Sequence, residues 1–108
     1  MTETTGDNSK LIAILSYFGI GWIIAYILHS NGKSDLGAFH LRQSLGIIIV
    51  AVLLSIVIGF IGIYILSIIT QLAILVFWIL GLLGAIQGEK KLVPVLGAQF
   101  QEWFKGIG

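Results

Sequence analysis

The chain has 108 residues, 57% of them hydrophobic and 10% charged, with a net charge of +1 and a mean hydropathy of +1.04. Soluble domains carry about 25% charged residues to cover their surface, so this composition excludes an ordinary water-soluble globule and indicates a single integral membrane domain over 1–108. The near-neutral charge and the lack of a helix-turn-helix, RRM or zinc-finger pattern exclude nucleic acid as a partner, and the absence of cysteine removes disulfides, thiolate chemistry and palmitoylation.

Residues 1–9 read as a flexible polar N-terminus, with Asn8 or Ser9 able to cap a helix from Lys10. Glu3 and Asp7 precede the first apolar stretch, which lacks a small-residue cleavage site. A retained span is therefore expected rather than a signal peptide. The stretch from Leu11 to Leu28 holds no charge and is long enough to cross, so 10–28 is the first predicted transmembrane helix. Ala13, Tyr17, Gly21 and Ala25 recur every fourth residue and mark a face for close helix packing.

Residues 29–37 carry turn signals at Asn31, Gly32, Ser34 and Asp35. Ser34 or Asp35 is expected to cap the next helix, whose start forms an amphipathic lead-in at headgroup level. From Ser44 to Ile86 there is no Asp, Glu, Lys, Arg or His. A straight helix of that length would run roughly 64 Å, against a hydrocarbon core of about 30 Å. The stretch must fold back, giving transmembrane helices at about 41–60 and 64–86 with the reversal between Gly59 and Ser67. Each Ile, Leu, Val and Phe there favours insertion by roughly 0.3 to 0.6 kcal/mol. Ala51, Ser55 and Gly59 on the second span, and Gly81, Gly84 and Ala85 on the third, supply small-residue packing faces.

Charge at 87–91 ends the third span and Pro94 breaks the chain. An amphipathic interfacial helix is expected at about 95–105, within an interfacial segment 88–108. Leu96, Phe100, Trp103, Phe104 and Ile107 form its apolar side. The fold class is thus an all-α integral membrane protein with three transmembrane helices and a C-terminal interfacial helix. With three crossings, Lys33, Arg42, Lys90, Lys91 and Lys105 fall on one side and Lys10 on the other. The positive-inside rule then predicts a multi-pass protein of a bacterial inner membrane, N-terminus out and C-terminus in the cytoplasm.

Little here suggests chemistry. Ionisable residues mark ion and proton pathways inside membranes, and both apolar stretches lack them. Gln71 is the strongest polar group at depth, read as an interhelical hydrogen bond, with a selectivity element in an oligomeric pore as the sharper alternative. His29, His40 and Asp35 lack the spacing of a metal site. Ser44 lies four residues after His40 without a nucleophile elbow or oxyanion device. No catalytic residue, metal or cofactor is expected, and the chain is not expected to be an enzyme. Phe39, His40, Arg42 and Gln43 enter the second span where headgroups lie, with Lys90 and Lys91 on the same side. They are the candidate contact for a lipid headgroup or partner.

The run Phe39-His40-Leu41-Arg42-Gln43, followed by Ser-Leu-Gly entering a span, forms one motif. The ending Gly-Ala-Ile-Gln-Gly-Glu-Lys-Lys-Leu-Val-Pro-Val-Leu-Gly forms another. Together they resemble the domain-of-unknown-function 4870 family of small bacterial proteins, related to the chloroplast inner-envelope import component and to small magnetosome membrane proteins. The resemblance covers Lys10 to about Gly97 and implies a compact helical membrane protein. Its plant relatives imply protein translocation and its magnetosome relatives organelle-membrane assembly. The function expected is a non-enzymatic scaffold or subunit of a membrane assembly; the alternative is an oligomeric channel or translocon-like subunit. Its partners would be membrane lipid and either a second copy or another membrane protein.

Overall fold

A computed structural model describes residues 2–107. Among them all regular structure is helical: α1 (Thr2–Leu15), α2 (Gly19–Asn31), α3 (Asp35–Ile61), α4 (Tyr64–Gln87) and α5 (Gly97–Trp103). Two helices, α3 and α4, are long and apolar enough to cross a membrane. Their 27 and 24 residues correspond to about 40 and 36 Å.

Local chemistry sets the ends of this pair. Ser34 caps α3, its Oγ accepting from the Gly37 N–H at 3.0 Å, and Asp35 adds a negative charge to the first turn. Gly62 takes the left-handed conformation (φ 77°) that ends α3, a conformation glycine adopts without Cβ strain. Ile63 alone then separates it from α4. The reversal falls inside the expected window.

The expected helix over 10–28 is not continuous. It starts at Thr2, ahead of the expected cap at Asn8 or Ser9, and breaks at residues 16–18. There the bonding tightens to Tyr17 N–H on Ile14 O (3.2 Å) and Phe18 N–H on Leu15 O (3.0 Å), and Phe18 is extended. The Ser16 hydroxyl helps by donating to both Ala13 O (2.7 Å) and His40 O (3.2 Å). Gly21 is needed for a tight approach across the break, since a Cβ there would lie 2.7 Å from Leu15 O. The resulting helices of 14 and 13 residues are each too short to span.

They form a helical hairpin against the lower part of α3 and α4. Going up, Lys10 lies beside Gly88 and Tyr17 beside Gly81, so α1 runs along α4 from its end towards its middle. Coming back, the Trp22 indole reaches Leu41 O and His29 reaches Gly37, so α2 descends along α3. Ile12, Ala25 and Leu41 close one core cluster; Ala13, Tyr17, Ile47, Ala85, Val93 and Phe100 close the other. No residue from 48 to 80 is buried. The molecule, 52 × 23 × 22 Å in extent, is a packed base with an apolar two-helix projection.

Gly88 ends α4 at φ 71°. Glu89 N–H returns to Gly84 O (2.9 Å) and Gly88 N–H to Ala85 O (3.1 Å), the Schellman pattern. This turns residues 89–96 back across the base. A tight turn at Val95 (φ 70°), closed by Leu96 N–H on Pro94 O, leads into α5. The expected 95–105 helix is shorter, Gly97–Trp103, and it docks on α3. Phe100 is buried over Gly46, where a Cβ would come within 2.2 Å of its ring. Trp103, on the same expected apolar side, stays 60% exposed.

Candidate functional site: a buried polar clasp

The polar residues of the base converge on one point. Four of the buried positions on α3, His40, Gln43, Ser44 and Ile47, have the i, i+3, i+4, i+7 spacing of one helix face. His40 and Gln43 have no exposed surface. Tyr17 meets them from the α1–α2 break, and the backbone of 89–93 meets them from the other side.

Every hydrogen-bonding position in this cluster has a defined role. The Gln43 amide donates to the Tyr17 hydroxyl (2.8 Å) and to Lys91 O (3.1 Å), while its Oε1 accepts from the buried Val93 N–H (2.9 Å). His40 Nε2 lies 2.7 Å from Glu89 O, which only accepts, so Nε2 carries the proton. Nδ1 is then the acceptor for the Tyr17 hydroxyl, also at 2.7 Å. The neutral Nε2–H imidazole satisfies all four groups. A proton added at Nδ1 would leave the Tyr17 hydroxyl proton without an acceptor here.

The break itself is stitched in. Trp78 Nε1–H donates to Tyr17 O, a carbonyl in the break between α1 and α2. Gly81 makes room for the Tyr17 ring, which a Cβ would approach to 2.5 Å. Gly84 lies against Lys91 Cβ and His40 Cε1, and Ala85 is fully buried. Ala25 on α2 is likewise fully buried.

Other expected site residues lie elsewhere. Phe39, His40 and Gln43 are enclosed by protein, so they are not headgroup contacts. Arg42 points to the chain end, donating from Nε to Ile107 O (2.9 Å) and from Nη2 to Lys105 O (3.2 Å). Gln101 makes the parallel bond to Phe39 O at 2.8 Å. Lys90 and Lys91 are exposed; Lys90 stands 3.8 Å from Asp35 and Lys91 3.9 Å from Glu89, pairs of the kind that contribute little. Ala51 lines an apolar groove of about 250 Å³ between α3 and α4, with Thr70, Ala73 and Phe77. Ser55 accepts a hydrogen bond from Gln71 across to α4, whereas Gly59 has open space beside it.

The sequence reading missed Tyr17 and Trp78 as polar partners, and Gly46 as the seat of Phe100. The signal for the first was available: the spacing of His40, Gln43, Ser44 and Ile47 points the polar pair into the core. Ser44 donates to Leu41 O (3.2 Å), not towards His40. Among the described residues no three His, Asp or Glu side chains gather as metal ligands. The arrangement is a clasp joining α1, α3 and the segment after α4.

The class defined so far is an all-helical protein with two helices able to span a membrane. No family model matches the chain, and no curated protein or solved structure matches it.

Proposed function

We propose that the chain is a membrane protein whose α3–α4 hairpin crosses the bilayer twice, serving as a non-enzymatic scaffold or subunit of a larger assembly. The observation that carries this reading is where the exposed apolar residues lie. They cover α3 from Ile49 to Ile61, α4 from Ile65 to Ile86, and the outer side of α2 at Ile20, Ile23, Ile24 and Ile27. In water so large a patch is an aggregation hazard; in hydrocarbon it is the expected surface. The length of α4, about 36 Å, suits a core of about 30 Å.

In this placement α1 and α2 enter from the base side and leave by it. The break at Tyr17 lies level with Gly81, roughly 9 Å in from Gln87 at 1.5 Å per residue. Irregular backbone at that depth is tolerated where protein covers it; Ser16 and Tyr17 are buried, and Phe18 at the edge of the break is exposed. Two crossings replace three. The N-terminus-out orientation rested on Lys10 standing across the membrane from the other cations, but Lys10 lies beside Gly88. Both ends and all six Lys and Arg residues then share one side, the cytoplasmic face of a bacterial inner membrane by the positive-inside rule.

The scaffold reading is supported by the clasp, whose polar groups are spent on one another, and by apolar flanks available for helix packing. Membership in the domain-of-unknown-function 4870 family is part of the same proposal. Its support is that the two motifs, 39–43 and 84–97, meet in the clasp.

Single cysteines at Lys10, Asn31, Gln101 and Ile63, probed in intact cells with an impermeant maleimide, test the topology. Only Ile63→Cys should react. Labelling of Lys10→Cys with Asn31→Cys protected would restore the three-span arrangement. Selective solute flux through the purified protein in liposomes would replace the scaffold with a channel.

A further inference from the structure

We infer that two copies of this chain pair in the bilayer through the Gln71 face of the α3–α4 hairpin, a reading that rests on the membrane placement proposed above. Gln71 lies seven residues into α4 from Tyr64 and sixteen before Gln87, about 10 Å from the tip and about 24 Å from the base. It is exposed, and its neighbours Ile68, Leu72 and Leu75 are exposed apolar residues. Its Nε2 donates to Ser55 Oγ at 3.0 Å. The amide carries a second N–H and an acceptor oxygen, and these make no hydrogen bond among the described residues.

At that depth there is no water to take them, and an unsatisfied amide in hydrocarbon costs several kcal/mol. Thr70, next in sequence, shows the usual remedy: its hydroxyl donates back to Leu66 O at 2.8 Å. Gln71 cannot do the same because its amide is carried beyond its own helix to Ser55. Lipid tails offer nothing, and headgroups lie about 10 Å away along the helix.

The carboxamide is its own complement, with donor and acceptor side by side. A second copy inserted in the same orientation presents the same amide at the same depth. A two-fold axis along the membrane normal would bring the two face to face and satisfy both at once. A different membrane protein would need a matching polar group at that level, whereas an identical chain has one by construction. Gly59, one turn beyond Ser55 on α3, does not obstruct the approach, since a Cβ there would meet nothing within 4 Å.

The chain has no cysteine, so introduced thiols are unique. In liposomes, Leu75→Cys, one turn from Gln71 on its face, should crosslink to itself on oxidation. Ile69→Cys, about 160° round the helix, should not. Energy transfer between labelled copies, titrated against lipid, should report a dimer that Gln71→Leu weakens by about 3- to 20-fold, the range of a membrane hydrogen bond. Resistance to alkaline extraction is measured on every sample. A protein that stays alkali-resistant but monomeric at all lipid ratios overturns the pairing and leaves the membrane placement standing. Dimerisation unchanged by Gln71→Leu, or equal crosslinking at Ile69→Cys, also overturns it. Extraction of the wild type by alkali would remove both readings together.

Discussion

Replacing Gln43 by methionine keeps the side-chain length and removes the amide that holds the clasp together. Three bonds go: the acceptor for Val93 N–H, and the donors to Lys91 O and the Tyr17 hydroxyl. Val93 is only 3% exposed, so its N–H is left without partner or water, costing about 1–3 kcal/mol. The other two bonds contribute about 0.5–1.5 kcal/mol each. The sum is about 2–6 kcal/mol, a large share of the 5–15 kcal/mol that holds a typical domain. It should fall first on the segment after Gly88, which the amide ties to α3. The assay is hydrogen exchange in detergent micelles, read at Val93 and compared with α4, alongside thermal unfolding. A loss of 2 kcal/mol corresponds to roughly 30-fold faster opening. Tyr17→Phe, made singly and with Gln43→Met, should show a coupling of about 0.5–3 kcal/mol, as residues of one network do. Unchanged Val93 protection with stability within about 0.5 kcal/mol of wild type would refute the clasp.

Gly46→Ala should expel Phe100 and undock α5, at a cost of about 1–3 kcal/mol, since the new Cβ would sit 2.2 Å from the Phe100 ring; proteolysis near 97–103 reports it. If Phe100→Ala adds its full separate cost in the double variant, the two residues are not in contact. Arg42→Lys should free the chain end, because one ammonium cannot reproduce the guanidinium fork on the Ile107 and Lys105 carbonyls. Faster amide exchange at 104–107 is the expected result, with anionic-lipid retention by native mass spectrometry equal to wild type; a selective loss of anionic lipid would return Arg42 to the headgroups.

What the sequence made legible was the part governed by local and bulk rules. The charge-free run of 44–86 calls for a two-helix hairpin by length alone, its turn was legible only to the window from Gly59 to Ser67, and the start of α3 only to Ser34 or Asp35. The break at 16–18 obeys no such rule. The run from Leu11 to Leu28 contains no proline, and its hydropathy and length satisfy the criterion for a span. What makes the break possible is distant in sequence: the Trp78 indole on Tyr17 O, His40 O on the Ser16 hydroxyl, and the glycine at 81 that admits the ring. Likewise His40 and Gln43 sit at the polar edge of a span, where headgroups are the default partners. Their actual partners are the Tyr17 hydroxyl and backbone groups about fifty residues on, the latter brought near by the turn at Gly88.

These two features bear on one another through the energetics of insertion. A three-crossing chain would have to move its N-terminal segment, with Glu3, Asp7 and Lys10, through the hydrocarbon. Each Asp or Lys at the centre of a membrane helix costs about 2.5–3.5 kcal/mol. In the proposed two-crossing placement, with the chain turned back at Tyr17, only the hairpin tip crosses, and it carries Gly62, Ile63 and Tyr64 with no charge. In that placement the turn puts Tyr17 O at hydrocarbon depth, and the Trp78 indole supplies its partner. On this argument, loosening the clasp should disturb the placement of residues 10–28 before it disturbs the hairpin, because α3 and α4 satisfy their own backbones and α1 and α2 do not.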